Sequence, residues 1–123
     1  MQENKKLPDS ELDIMMIIWD AGTPVDSDYI MEHLTDKSWA KTTVLNFLIR
    51  LSDRGFLSSR KDGRKNIYTP LIKQEDYVKK ESRSFFKKLH HNSLKSLIVS
   101  LYDGKEITKE DAAELKALIE EAR

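Results

Sequence analysis

The chain has 123 residues, with 21 Lys and Arg set against 21 Asp and Glu, so its formal net charge is zero. This length makes one domain, or one domain with a small appendage, the expectation, and a 39% hydrophobic content supports a modest core rather than a large buried cavity. With no cysteine, disulfides, thiolate zinc sites, iron–sulfur clusters and a cysteine nucleophile are excluded.

No run approaches the roughly 18 apolar residues of a membrane span. The opening MQENKKLPDSE lacks the apolar stretch of a secretory leader, so a cytoplasmic protein with no membrane partner is expected. The zero charge is a cancellation. Residues 1–40 hold three basic and nine acidic residues (net −6) and residues 41–73 hold eight and two (+6). Residues 74–95 hold six and three (+3), and residues 96–123 hold four and seven (−3). A basic block of that density attracts polyanions whatever the total charge.

In chain order, Pro8-Asp9-Ser10-Glu11 opens a first helix, with Asp9 or Ser10 as its cap and early acids suiting its positive end. Leu12, Met15, Met16 and Trp19 recur at helical spacing as its core stripe, and Gly22 and Pro24 stop it. Asp26-Ser27-Asp28 caps a short second helix that turns Tyr29, Ile30 and Leu34 inward. The Asp26/Asp28 pair has no third ligand or glycine loop, so capping is preferred to a metal or acid–base role.

A third helix, Lys41 to Arg54, places Val44, Phe47, Leu48 and Leu51 on its core side. Leu45 and Ile49 are apolar but lie off that stripe, which marks a contact surface, and Gly55 follows as a left-handed terminator. Two extended runs, Phe56 to Lys61 and Asn66 to Leu71, flank Asp62-Gly63-Arg64-Lys65 as a basic hairpin, with Pro70 at a strand end or edge. Three helices followed by such a hairpin have the order of a winged helix-turn-helix, in which the third helix enters the major groove. The charge block and the topology therefore point to the same surface.

Residues 73–123 read as a separate unit of three helices. The first, Glu75 to Leu89, has a weak stripe of Val78, Phe85 and Leu89. The second carries Leu94, Leu97, Ile98 and Leu101 and ends near Asp103-Gly104. The third starts at Thr108, spaced from Asp111 as in a capping box, and displays Ala112, Leu115, Leu118, Ile119 and Ala122. Three short amphipathic helices bury little alone, and pairing with a second copy solves that, as in other helix-turn-helix dimers. The expected fold is mainly α: a winged helix-turn-helix with a two-stranded wing in residues 1–72 and a three-helix dimerisation domain in residues 73–123.

The segments LPDSELDIMMIIW (7–19), Trp39 before the third helix, FLIRLSDRGFL (47–57) and KDGRKNIYTPL (61–71) resemble the penicillinase repressor family. That family includes β-lactamase, methicillin-resistance and copper-responsive repressors. The resemblance spans roughly residues 7–121. It implies a homodimeric transcriptional repressor on palindromic operators rich in TACA/TGTA half-sites, acting on β-lactam-resistance or related genes.

The family reads bases from a Trp-Ser-Pro-Lys-Thr segment. Here that segment is Trp39-Ala40-Lys41-Thr42-Thr43, with Ala40 in place of the capping serine and Lys41 in place of the proline. Losing the cap costs about 1 kcal/mol unless Ser38 takes over. The resemblance also implies signalling by one of two routes. The copper-type CxC tail is excluded by the lack of cysteine. Cleavage by a sensor protease would fall at Ser100-Leu101 in SLIVSLYD (96–103), where the family's Asn-Phe pair is not kept.

The expected site follows. Thr42, Thr43, Leu45 and Asn46 approach base edges, Leu45 through a thymine methyl. Lys41, Arg50, Arg60, Lys61, Arg64 and Lys65 hold phosphates and set register. Leu94, Leu97, Ile98, Leu101, Leu115, Leu118 and Ile119 make the dimer. No catalytic residue, metal or cofactor is expected, since there is no phosphate loop, GxGxxG, HExxH or nucleophile elbow. Among the three histidines, His33 has no ligand-spaced partner, and His90 and His91 diverge on a helix. The main alternative is a winged-helix adaptor that binds protein, which Leu45 and Ile49 favour. A small-molecule sensor has no pocket signature.

Overall fold

In the computed structural model, which describes residues 6–122, the order of elements is α1 (Asp9–Ala21), β1 (Val25–Asp26), α2 (Ser27–His33), α3 (Lys41–Asp53), β2 (Leu57–Asp62), β3 (Lys65–Pro70), α4 (Gln74–His90), α5 (Leu94–Asp103) and α6 (Lys109–Glu121). Residues 1–5, on which the expectation of no secretory leader partly rests, lie outside the described residues. The chain forms two compact units that divide between Lys80 and Glu81.

In the first unit α1 begins one residue earlier than its polar residues suggest. Pro8 is the N-cap and makes no side-chain cap bond, so Asp9 and Ser10 are helical residues rather than caps. The Pro8 carbonyl already accepts the Leu12 N–H at 2.9 Å, which starts the ladder there. The core stripe is also turned by one position from Leu12, Met15, Met16 and Trp19. Glu11, Ile14, Met15 and Ile18 are buried, Leu12 and Trp19 are half-buried, and Met16 is exposed. The spacing is the same, but a buried glutamate begins it. Its carboxylate accepts from Arg54 Nη1 at 2.8 Å, which gives the buried charge the partner it requires.

Val25–Asp26 forms a short strand that adds to the hairpin, giving a three-stranded antiparallel sheet in the order β1-β3-β2. A sequence reading sees only the cap at this point. Asp26 does cap α2, accepting the Tyr29 N–H at 2.9 Å. Ile30 and Leu34 are buried, while Tyr29 is half-buried and stacked on His33.

Helix α3 buries Val44, Leu48 and Leu51, with Phe47 half-buried edge-on to Trp39. Its end is a full Schellman motif. Gly55 sits at φ 83°, the Phe56 N–H donates to the Leu51 carbonyl at 2.9 Å, and the Gly55 N–H donates to the Ser52 carbonyl at 3.1 Å. Phe56 and Leu51 are both buried, which supplies the hydrophobic contact of that motif.

The hairpin strands run one residue closer to the tip than their apolar pattern indicates. Asp62 pairs with Lys65, leaving Gly63 and Arg64 as a two-residue turn. Positive φ at Gly63 (67°) but not at Arg64 is the sign pattern of a type II′ turn, where glycine is needed at the first central position. Pro70 ends β3, where no ladder donor is lost.

The start of α4 belongs to this first unit. Tyr77 is buried, accepts the Leu7 N–H on its hydroxyl at 2.8 Å, and packs its ring against Trp19 and Phe56. The Trp19 indole donates to the Ile72 carbonyl at 2.9 Å.

The second unit holds the rest of α4 with α5 and α6. Ser93 caps α5 by accepting the Ser96 N–H, and Thr108 with Asp111 forms the expected reciprocal capping box on α6. His90, the last residue of α4, is buried and bonded to Ser96 Oγ at 2.8 Å, and His91 leaves the helix at φ 50°. Neither α5 nor α6 has a buried residue. Among the described residues no group of three metal-binding side chains exists, and no helix is long and apolar enough to cross a membrane.

Candidate nucleic-acid interface

The exposed side of α3 is set by what its other side must bury. With Val44, Leu48 and Leu51 turned into the core, helical geometry leaves Lys41, Thr42, Asn46, Ile49 and Arg50 exposed. Thr43 and Leu45 sit at the border and are half-buried, with Leu45 packed against the core. Ile49 is 57% exposed, a large apolar side chain on the open face. Arg50 reaches back so that its guanidinium lies 5.8 Å from the Phe47 ring centroid. The α3 N-cap is Ala40 with no side-chain bond, so neither it nor Ser38 satisfies the first backbone N–H groups of this helix.

Four more cations come from the hairpin, and strand alternation sorts them. The register Arg60↔Ile67, Asp62↔Lys65 and Asp26↔Ile67 puts Arg60, Lys65, Ile67 and Asp26 on one face of the sheet. Lys61 shares the opposite face with Tyr68 and Val25 but lies beyond the core, fully outside it. Arg60 and Lys61 therefore leave the hairpin from opposite faces. Arg60, Lys61 and Arg64 are exposed, and among the described residues none of them is in an ion pair.

Lys41 and Lys65 are brought together, and by acids. Asp28 Oδ1 is 3.1 Å from Lys41 Nζ, Asp28 Oδ2 is 3.2 Å from Lys65 Nζ, and Asp26 Oδ2 is 3.3 Å from the same Lys65 Nζ. Hydrogen bonds from Lys41 and then Lys65 hold the Asp28 carboxyl below its usual range. The Tyr29 N–H lowers Asp26, partial desolvation opposes it, and Lys65 adds to the lowering. The Lys65 ammonium is in turn raised, by Asp28 first and Asp26 second. Asp26, Asp28 and Lys65 are thereby each held in their charged forms. A sequence reading assigns Asp26 and Asp28 to capping and misses this clasp. The available signal was a pair of acids two residues apart in a chain whose following block is strongly basic.

The remaining expected residues lie in the second unit. Leu94 is 50%, Leu118 63% and Ile119 46% exposed, and Leu97, Ile98, Leu101 and Leu115 are half-buried. A groove of about 600 Å³ runs between Ile98, Ile107, Ala112, Leu115 and Ile119. Ser100 and Leu101 sit inside α5, with the Ser100 carbonyl accepting from Gly104 N at 3.2 Å and the Leu101 carbonyl from Glu106 N at 2.9 Å.

The penicillinase repressor family matches residues 7–121. The penicillinase repressor of Bacillus licheniformis is 31% identical over 120 residues, covering 95% of this chain and 94% of that protein. The solution structure of the DNA-binding domain of the repressor BlaI matches with a TM-score of 0.54 at 32% identity, over 63% of this chain and 94% of that one. The Bacillus licheniformis BlaI monomeric form in complex with the blaP half-operator matches with a TM-score of 0.51 at 31% identity, over the same shares of 63% and 94%.

Proposed function

The chain belongs to the penicillinase repressor family, and from that premise we propose that it is a homodimeric transcriptional repressor that occupies a palindromic DNA operator. The observation that carries this reading is the open face of α3, where Thr42 and Asn46 stand between Lys41 and Arg50, with the cationic hairpin following directly in the chain. A helix of this kind reads base edges in the major groove while flanking cations neutralise phosphates. The likeness to a relative solved in complex with a half-operator supports DNA as the partner. Repression then needs only occupancy of the promoter. It requires no catalytic residue or cofactor, and it fits a cytoplasmic site of action.

Two functional parts follow, residues 1–72 for DNA and residues 73–123 for dimerisation, with the start of α4 up to Lys80 packed into the first unit because Tyr77 closes its core. Within them Thr42, Thr43, Asn46 and the half-buried Leu45 contact bases. Arg50, Arg60, Lys61 and Arg64 hold phosphates directly, and Lys41 and Lys65 do so once released from the acids that hold them. The apolar side chains of α5 and α6 cover one another across a two-fold axis.

Salt titration of duplex binding by the full chain tests the reading. The logarithm of affinity is expected to fall linearly with log salt, by about 0.9 per phosphate contact. Arg64→Ala with Lys65→Ala should weaken all duplexes alike and flatten that slope. Thr43→Ala or Asn46→Ala should change the preferred sequence. The exposed Ile49 favours the adaptor reading. A flat salt response, or no duplex binding at low salt, would defeat the repressor reading.

Control by a sensor protease at Ser100-Leu101 is part of the proposal. Both carbonyls are engaged in backbone bonds, so α5 must open before a protease reaches them. An intact chain after incubation with the activated protease would remove this partner.

A further inference from the structure

The clasp around Asp28 is not needed to hold a helix cap. Asp26 already caps α2 through the Tyr29 N–H, whereas the contacts of the Asp28 carboxylate are the two ammonium groups of Lys41 and Lys65. Those ammonium groups come from the first residue of α3 and the first residue of β3, two elements assigned to the DNA-facing surface. One carboxylate thus gives one oxygen to each, at 3.1 and 3.2 Å. The non-bridging oxygens of a phosphate diester would engage two lysines in the same manner. All three side chains are about half-exposed, Asp28 at 48%, Lys41 at 55% and Lys65 at 58%. A polyanion arriving from solvent therefore meets these lysines already occupied.

We propose that Asp28 is a built-in competitor for DNA phosphate, which occupies Lys41 and Lys65 and lowers the sequence-independent affinity of the protein for duplex DNA. The inference rests on the DNA-binding reading and adds a residue outside the phosphate-contacting set. With Asp26 and Asp28 balancing Lys41 and Lys65, the cations assigned to phosphate that stand outside any ion pair among the described residues are Arg50, Arg60, Lys61 and Arg64. Every phosphate contact made by Lys41 or Lys65 must first break an ion pair. It also leaves a carboxylate facing the DNA backbone, where like charges repel. Base contacts by α3 do not carry this cost, so they account for a larger share of the affinity that remains.

The test measures binding of the full chain, as parent and as Asp28→Asn, to a selected operator and to a scrambled duplex over a range of salt. Asp28→Asn is expected to bind both duplexes roughly 3- to 10-fold more tightly at low salt. The log–log salt slope should steepen by about one to two. Adding Lys41→Gln and Lys65→Gln to Asp28→Asn should abolish the gain. Thermal unfolding shows whether each variant is folded, and Asp28→Ser replaces Asp28→Asn if the latter is not. Equal or weaker binding by the folded variant would overturn the proposal and make Asp28 a strut that positions the hairpin. A gain that survives loss of both lysines would overturn it too, in favour of simple repulsion. Failure of the parent to bind any duplex is a different result, which defeats the repressor reading itself.

Discussion

The two units of this chain solve the problem of burial in opposite ways. The first encloses Ile14, Met15, Ile18, Ile30, Val44, Leu48, Leu51 and Phe56 almost completely, and closes its core with Tyr77 from the start of α4. The second has helices with well-formed caps and apolar stripes, yet α5 and α6 bury no residue within the single chain. Good local signals are therefore not the same as a core. Capping and helical spacing decide where helices form, but buried apolar area decides whether they are stable. The first unit has both, whereas the second keeps Leu94, Leu118 and Ile119 exposed on the single chain.

The largest effect should come from breaking the second unit's exposed apolar face. Leu118→Asp with Ile119→Asp is expected to yield monomers by sedimentation and to lower operator affinity by roughly 100-fold or more, because two linked half-site contacts become one. Stability of the first unit should be unaffected. In contrast, Leu48→Ala in the filled core should cost about 3 kcal/mol in denaturant unfolding. If the two variants destabilised the protein equally, the contrast between the units would be lost.

Smaller changes sharpen the picture within the first unit. Arg54→Ala strands the buried Glu11 carboxylate and should cost about 2 kcal/mol, less than a fully buried pair because Arg54 is itself 43% exposed. Ala40→Ser should supply the missing α3 cap and stabilise by about 1 kcal/mol, read as a higher melting temperature.

The smallest effect concerns pH. Asp26 and Asp28 lie below the ordinary value of 3.8 in the folded protein, so their ion pairs stabilise above that pH and are lost as acid protonates them below it. The melting-temperature difference between parent and Asp28→Asn should be constant from about pH 7 to about pH 5, and should close only below the ordinary carboxylate range.

Much of this architecture is legible in the residues. Helix order, the Gly55 terminator, the Asp62-Gly63 hairpin and the Thr108 capping box are all local patterns with short-range causes, and each appears in the structure. Three of the departures share one cause, which is partnership across long sequence distances. Glu11 looks like a surface residue until Arg54, 43 positions away, accounts for its burial. Val25–Asp26 becomes a strand only because β3 lies beside it. Asp28 looks like a cap-region acid until the fold delivers Lys41 and Lys65 to its two oxygens. At the candidate interface, helical spacing exposes Thr42 and Asn46 as expected, but it does not foresee that Leu45 leans on the core or that β-alternation separates Arg60 from Lys61.

The decisive measurement is selection of bound fragments from random duplex DNA by the full chain. A DNA-reading first unit joined through a dimerising second unit predicts enrichment of a two-fold symmetric sequence, with half-sites centred a whole number of helical turns apart. Recovery of a single asymmetric site, or no enrichment over the starting pool, would contradict the account.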